Sequence, residues 1–133
     1  MKTTTLQTAA KQFPIRGLDP AHLAGQEEAF DMCVDFLLGI EKTKGLNRRH
    51  SSYRLKHTVE NPSRIVHIPT KQEAYGGYVY EGTFILAALA CGFEMRQGGN
   101  GLSSTFNISE RGLRRRAREV ANERIALSNA RPA

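Results

Sequence analysis

The stretch that decides the fold is Tyr80-Glu-Gly-Thr-Phe-Ile-Leu-Ala-Ala-Leu-Ala-Cys91. Its apolar residues occupy every side of a helix, whereas a helix at the protein surface keeps one polar side. The pattern therefore predicts a helix over about 80–91 that is buried at the centre of the protein, with Gly92 placed to end it. The other segments have to pack around this central helix.

A longer helix is predicted ahead of it, over about 26–43. Apolar residues recur there at helical spacing and acidic residues occupy the opposite side, as in a helix with one side on the core. The apolar residues are Phe30, Val34, Leu37 and Ile40, and the acidic residues are Glu28, Asp31 and Asp35. Gly45 is expected to end this helix, and Asp19-Pro20 has the residue types that begin another.

A short helix is predicted next, beginning at Ser51 or Ser52, either of which can cap it. It has to end near Asn61 because Pro62 disfavours a helical conformation in the residue before it. Its expected core residues are Leu55 and Val59. The β-branched segment Arg64–Pro69 predicts an edge strand that its proline ends.

The segments after the central helix predict a β-hairpin and a last helix. Residues 93–97 and 104–108 alternate apolar and polar side chains around the glycine-rich turn 98–101. Ser109 is placed to cap a helix over about 110–127, whose core side is expected to carry Leu113, Ala117, Val120 and Leu127.

Together these elements predict an α+β fold that is mostly α, with four to five helices around the central helix and one β-hairpin at about 93–108. The order of elements is compatible with a winged helix-turn-helix in which the hairpin is the wing. The central helix, however, offers few polar side chains to base edges.

The chain of 133 residues, 40% of them hydrophobic, has the size of one domain. We expect an N-terminal arm at 1–18, flexible or draped over the protein, a globular domain at 19–128 and a C-terminal tail at 129–133. No long apolar run or signal-peptide pattern is found, so we expect a cytoplasmic protein without a membrane partner. Cys33 and Cys91 lie among apolar residues and are expected to be free thiols.

The net charge of +6 is segregated along the chain. Residues 42–57 contain six basic side chains and no acid, and residues 110–133 contain seven arginines against three glutamates. The rest of the chain is net acidic. This segregation points to a polyanion or an acidic protein surface as partner.

The arginines of the last helix form a stripe, Arg111, Arg114, Arg115 and Arg118, within an arc of about 100° on a helical wheel. Arginine offers a planar fork of donors that suits bidentate phosphate contacts. A second cluster, Arg48, Arg49, Arg54 and Lys56, lies around the predicted start of the short helix. Arg48, Arg49 and His50, just ahead of that start, suit phosphate capture because the helix dipole also favours anions. The alternative interpretation is a solvated helix side, either paired with Glu110, Glu119 and Glu123 or docked on the acidic side of the first helix.

Two further groups carry chemistry. His57 and Glu60 lie one helical turn apart, either as part of a metal-independent ribonuclease site or as a plain His–Glu contact, which we favour. Tyr75, Tyr78 and Tyr80 either stack on exposed bases, form the rim of a binding site or anchor the start of the central helix, which is the commoner use of such residues. No zinc spacing and no nucleotide-cofactor motif is found, so we expect neither metal nor cofactor.

The segments Ser52-Tyr-Arg-Leu-Lys-His-Thr-Val-Glu60, Tyr78-Val-Tyr-Glu-Gly-Thr-Phe-Ile-Leu-Ala-Ala88 and Gly92-Phe93 resemble small uncharacterised proteins carried by bacterial phages, plasmids and integrative elements. The resemblance covers roughly the middle third of the chain. It implies a protein that regulates, binds nucleic acid or blocks a host system. It carries over no functional residue.

Three functions follow in order of preference. The first is a non-enzymatic protein that binds nucleic acid, DNA in preference to RNA, through phosphate contacts from the stripe and the second cluster. The second is a protein-interaction module, an inhibitor or assembly subunit, whose arginines meet an acidic partner. The third is a small metal-independent nuclease that uses His57 and Glu60.

Overall fold

The computed structural model describes residues 4–67, 74–99 and 101–130. In chain order its α-helices are α1 (Leu6–Gln12), α2 (Glu27–Leu38), α3 (Ser52–Glu60), α4 (Glu81–Ala90) and α5 (Glu110–Ala130). Its strands are β1 (Lys42–Asn47), β2 (Met95–Gln97) and β3 (Ser104–Ile108). Short 3₁₀ helices lie at Pro20–Leu23 and Pro62–Arg64. The fold is α+β and mostly helical, as predicted.

Helix α4 is the buried central helix that its composition predicts. Every residue from Gly82 to Ala88 is buried, and α1, α2 and α3 all pack against it. Phe84 meets Phe106 of β3 edge to face at 5.8 Å, which joins the helix to the sheet. Gly92 follows the helix with a φ of +88°, a conformation that side-chain-bearing residues rarely adopt.

The predicted hairpin is present and is extended by a strand that the sequence did not predict. Strands β2 and β3 pair antiparallel, with Met95 opposite Phe106 and Gln97 opposite Ser104. Strand β1 pairs with the other edge of β3, so the sheet order is β1-β3-β2. The prediction of one helix over 26–43 is wrong at its end, because α2 stops at Leu38 and residues 42–47 are this strand.

Other boundaries also differ. The predicted strand Arg64–Pro69 is wrong for its described part, since Pro62–Arg64 is a 3₁₀ helix and residues 65–67 are turn and bend. Ile68 and Pro69 lie outside the described residues. The N-terminal segment contains α1, which buries Leu6 and Ala9. Helix α5 extends beyond the predicted residue 127, to Ala130, so it also takes in the start of the expected C-terminal tail, and residues 131–133 lie outside the described residues.

The core side of α5 follows the prediction except at its end. Leu113, Ala117 and Val120 are buried, whereas Leu127 is 66% exposed and Ile125 packs inward in its place. The short helix begins and ends as predicted: the Ser51 side chain accepts from the backbone N–H of Arg54, and the helix stops before Asn61. Cys33 and Cys91 are free thiols.

A winged-helix likeness extends only to the order of the elements. Helix α4 has the place of a recognition helix, yet it is buried over most of its length and cannot enter a DNA groove. Within the described residues, no helix is both long and apolar enough to cross a membrane.

Candidate nucleic-acid interface

The arginine stripe of α5 divides into two side chains without a partner among the described residues and two that are engaged within the protein. Arg111 and Arg118 are exposed, and neither side chain has a hydrogen bond or ion pair with any described residue. Arg114 donates to the Glu110 carboxylate at 2.8 Å and to the carbonyl of Ile65 at 2.6 Å. Of the four arginines predicted to contact phosphate, Arg111 and Arg118 therefore have side chains that no described residue binds.

Arg115 and its neighbour Arg116 bind the end of α2. Arg115 donates to the carbonyl of Gly39 at 2.6 Å and forms a two-pronged contact with Glu41 at 3.0 and 3.1 Å. Arg116 donates to the carbonyls of Asp35 and Phe36 and to the Asp35 carboxylate, all at 3.1 to 3.2 Å. The last turn of α2 has no basic residue of its own, so these two arginines satisfy its free carbonyls and its negative dipole end.

The second basic cluster contains one side chain that is not available to a ligand. Arg48, Arg49 and Arg54 are exposed, and their side chains have no partner among the described residues. Lys56 is 4% exposed, donates to Glu60 at 3.3 Å and lies 4.4 Å from the ring centre of Tyr78. The expectation that Lys56 contacts phosphate is a wrong one, because its ammonium group is buried.

The loop with Arg48 and Arg49 lies directly against the start of α5. Glu110 accepts from Asn47 at 3.0 Å, is 2.8 Å from His50 Nε2, and accepts from Arg114 at 2.8 Å. Burial opposes ionisation of Glu110, but the hydrogen bonds from Asn47 and Arg114 outweigh it and lower the pKa of the carboxyl. An ionised Glu110 therefore holds the two basic segments together.

A groove of about 740 Å³ lies beside this loop, and we call it the arginine groove. It contains three arginines from three distant segments, Arg16, Arg48 and Arg96, together with Ser51 at the start of α3. Its remaining lining is uncharged: Leu46, Gln97, Gly98, Gly99, Ser103, Ser104 and Thr105. Among the described residues, therefore, no carboxylate lines the groove beside the arginines. The first turn of α3 also has no acidic residue, so its positive dipole end adds to the field of the arginines, while its Arg54 N–H is already bound by the Ser51 side chain.

Sequence analysis missed Arg16 and Arg96, because each is isolated along the chain. Gln97 holds the backbone of Arg16 from both sides, accepting from its N–H at 3.2 Å and donating to its carbonyl at 2.9 Å. The Arg16 guanidinium also donates to the carbonyl of Gly98 at 2.8 Å. Arg96 is exposed on β2. No local sequence pattern predicts these contacts, because they depend on the N-terminal segment reaching the hairpin.

His57 and Glu60 form the contact that their spacing predicts, with His57 Nδ1 2.8 Å from Glu60 Oε1. Glu60 is buried, and it also accepts from the backbone N–H of Val79 at 2.8 Å and from Lys56. Burial opposes its ionisation, but the hydrogen bonds from Val79, His57 and Lys56 outweigh it and lower the pKa of the carboxyl. The ionised Glu60 is an acceptor only, so Nδ1 of His57 carries a hydrogen and Nε2 is directed away from it.

Within the described residues, no three His, Cys, Asp or Glu side chains are arranged to hold a metal ion. Comparisons with protein-family models, curated proteins and solved structures give no match. The functional assignment therefore depends on the geometry of this chain alone.

Proposed function

We propose that the protein binds nucleic acid through phosphate contacts centred on the arginine groove. The observation that carries the proposal is the convergence of Arg16, Arg48 and Arg96 on one groove, next to a helix N-terminus, that no carboxylate of the described residues lines. Each guanidinium can give a bidentate contact to a phosphate, and the helix N-terminus adds backbone donors.

Three of the predicted contact residues extend this surface. Arg49 and Arg54 are exposed beside the groove residues Arg48 and Ser51, and Arg111 follows the Glu110 that binds the same loop. Arg114 and Arg115 are each already ion-paired with a glutamate of the protein, whereas the Arg16 guanidinium donates to a neutral carbonyl, that of Gly98. Arg118 lies two helical turns beyond Arg111, roughly 10 Å further along α5. The proposed interface is therefore Arg16, Arg48, Arg49, Arg54, Arg96 and Arg111.

Phosphate contacts position a protein on nucleic acid and do not read its sequence. We accordingly propose a non-enzymatic accessory or regulatory role, in the cytoplasm, with DNA as the preferred ligand.

The test compares two variants that each remove two positive charges. R48Q/R96Q removes groove arginines, whereas K11Q/R118Q removes two exposed side chains that do not line the groove. Binding to labelled duplexes of unrelated sequence is measured by fluorescence anisotropy over a series of salt concentrations. R48Q/R96Q is expected to weaken binding about tenfold or more and to reduce the salt slope by about 2, equally for all sequences.

K11Q/R118Q is expected to change affinity about twofold, through net charge alone. Equal losses in the two variants would show that the groove is not the binding site, and binding that does not respond to salt would remove the proposal. An acidic protein partner is the conclusion if the chain retains no nucleic acid but co-purifies with a protein after nuclease treatment.

A further inference from the structure

A second cleft, of about 450 Å³, lies between α3 and the start of α4 and is lined by aromatic rings. Tyr53 meets His57 edge to face with ring centres 4.6 Å apart. Tyr78 meets Tyr80 in the same way at 4.8 Å, and His22 stacks parallel on Tyr80 at 5.1 Å. We call this the aromatic cleft. Its rings come from three separate segments and are held in fixed orientations by their mutual contacts.

The two outer rings are exposed, which an anchoring role for α4 does not explain. Tyr53 is 54% exposed and Tyr78 is 53% exposed. Val79, which lies between Tyr78 and Tyr80, is fully buried and anchors the segment. The buried Lys56 ammonium lies 5.6 Å from the ring centre of Tyr53 and 4.4 Å from that of Tyr78. Lys56 thus supports both rings from inside the protein, and their outer parts remain available for stacking.

Two carboxylates at the cleft are already occupied. Asp19 accepts from the backbone N–H of Ala21 at 3.0 Å, and Glu81 accepts from the hydroxyls of Ser52 and Ser103. These groups make the cleft unsuitable for a phosphate. They do not hinder a neutral planar group that stacks on the rings.

The aromatic cleft adjoins arginines through shared residues. Tyr53 and His57 also line a neighbouring cleft of about 290 Å³ that contains Arg54 and Arg64, both exposed. A nucleic-acid strand presents a charged phosphate beside each base, and single-strand-binding proteins combine a basic track with aromatic stacking surfaces. The exposed tyrosines next to exposed arginines reproduce that combination.

We infer that the aromatic cleft binds an unpaired base of single-stranded nucleic acid, stacked on Tyr53 and Tyr78 while adjacent phosphates contact Arg54 and Arg64. This inference rests on the proposed function and names its ligand class, a strand with accessible bases. His57 Nε2, which has no partner among the described residues, supplies a hydrogen-bonding group at the edge of the stacked base.

The experiment measures the binding of oligo(dT) and of a duplex to Y53A and Y78A, by anisotropy at one fixed salt concentration. Y53F and Y78F retain the rings, and Y75A is the matched control, because Tyr75 is 57% exposed but lines a different cavity beside Arg124. Y53A and Y78A are each expected to weaken oligo(dT) binding about tenfold, since stacking contributes roughly 1–3 kcal/mol per base. Duplex binding is expected to change less than about twofold, and both phenylalanine variants and Y75A are expected to bind like the wild type.

The inference is overturned if Y53A and Y78A bind oligo(dT) as the wild type does, or if they lose duplex and single-strand binding equally. In either case, if R48Q/R96Q loses binding to both oligo(dT) and the duplex, the proposed function still holds. Failure of the wild type to bind either probe overturns both. Urea unfolding midpoints of all variants, followed by circular dichroism, separate loss of binding from loss of folding.

Discussion

Replacing Glu60 by glutamine tests a charge cluster in which both Glu60 and Lys56 are buried. The Glu60 carboxylate accepts from Val79 and is 2.8 Å from His57 Nδ1, and it neutralises Lys56, whose side chain is only 5% exposed. A glutamine keeps the shape but has one acceptor oxygen, so its amide group must face one of the donors. E60Q also leaves the Lys56 ammonium buried without a counter-charge.

Removing one partner of a buried ion pair costs about 3–5 kcal/mol, and we expect E60Q to lose about 3 kcal/mol of unfolding free energy. K56M in the same chain removes the stranded charge and places a thioether against the tyrosine rings, so K56M/E60Q is expected to recover about 1 kcal/mol or more. The control is E119Q, whose side chain is 51% exposed in its ion pairs and whose loss is expected to be about 0–1 kcal/mol.

The assay is urea unfolding followed by far-ultraviolet circular dichroism, with equal slopes required for a comparison of midpoints. A cost of E60Q no larger than that of E119Q would refute the reasoning, as would a double variant no more stable than E60Q. Either result would mean that water or a rearranged side chain compensates the Lys56 charge.

Two further predictions concern charged groups that the fold uses. Hydrogen bonding by Arg115 lowers the pKa of Glu41, and hydrogen bonds outweigh burial to lower those of Glu60 and Glu110. The folded pKa values of these carboxyls lie below the unfolded value of about 4.3. Their contribution to stability is therefore complete above about pH 5 and is lost as the pH falls through the folded pKa values. Urea midpoints that stay constant from about pH 6 to about pH 3 would contradict this prediction. R124M is expected to lower the free energy of unfolding by about 1–3 kcal/mol, because Arg124 donates to the carbonyls of Val59, Glu60 and Ala74. The control R118M is expected to change it by less than about 0.5 kcal/mol. Equal thermal midpoints for the two variants would contradict this structural role of Arg124.

Those parts of the fold that depend on local pattern were predictable. Helix α4 follows from an uninterrupted apolar composition, and the hairpin follows from two alternating segments around glycines. Strand β1 was not predictable, because the first four residues of Lys-Thr-Lys-Gly-Leu-Asn are exposed and show no alternation. Its extended conformation comes from pairing with β3, so the information lies in residues far along the chain, with Lys42 opposite Ile108 and Asn47 opposite Phe106.

The buried state of Lys56 shows a second limit of sequence reasoning. Its position in a run of basic residues indicates an exposed charge, and Glu60 one turn later indicates at most a surface pair. The burial comes from Tyr78 and the Val79 backbone, which reach α3 from the segment before α4. A helical wheel gives the direction of a side chain but not what the rest of the chain places there.

For the same reason, the arginine stripe is a poor guide to the surface that binds an external anion. Arg115 and Arg116 bind the end of α2, which lacks a basic residue of its own, through carbonyls and carboxylates of Asp35, Phe36, Gly39 and Glu41. Arg114 binds Glu110 and the carbonyl of Ile65. A donor that already has an internal acceptor has less to gain from a phosphate, since binding must first break the existing contact. Exposed arginines whose side chains have no acceptor in the described part of the chain, such as Arg48 and Arg96, have no such cost. The highest local density of arginine in α5 thus marks side chains that are already bound within the protein. The residues best suited to an external anion are those that only the tertiary structure brings together.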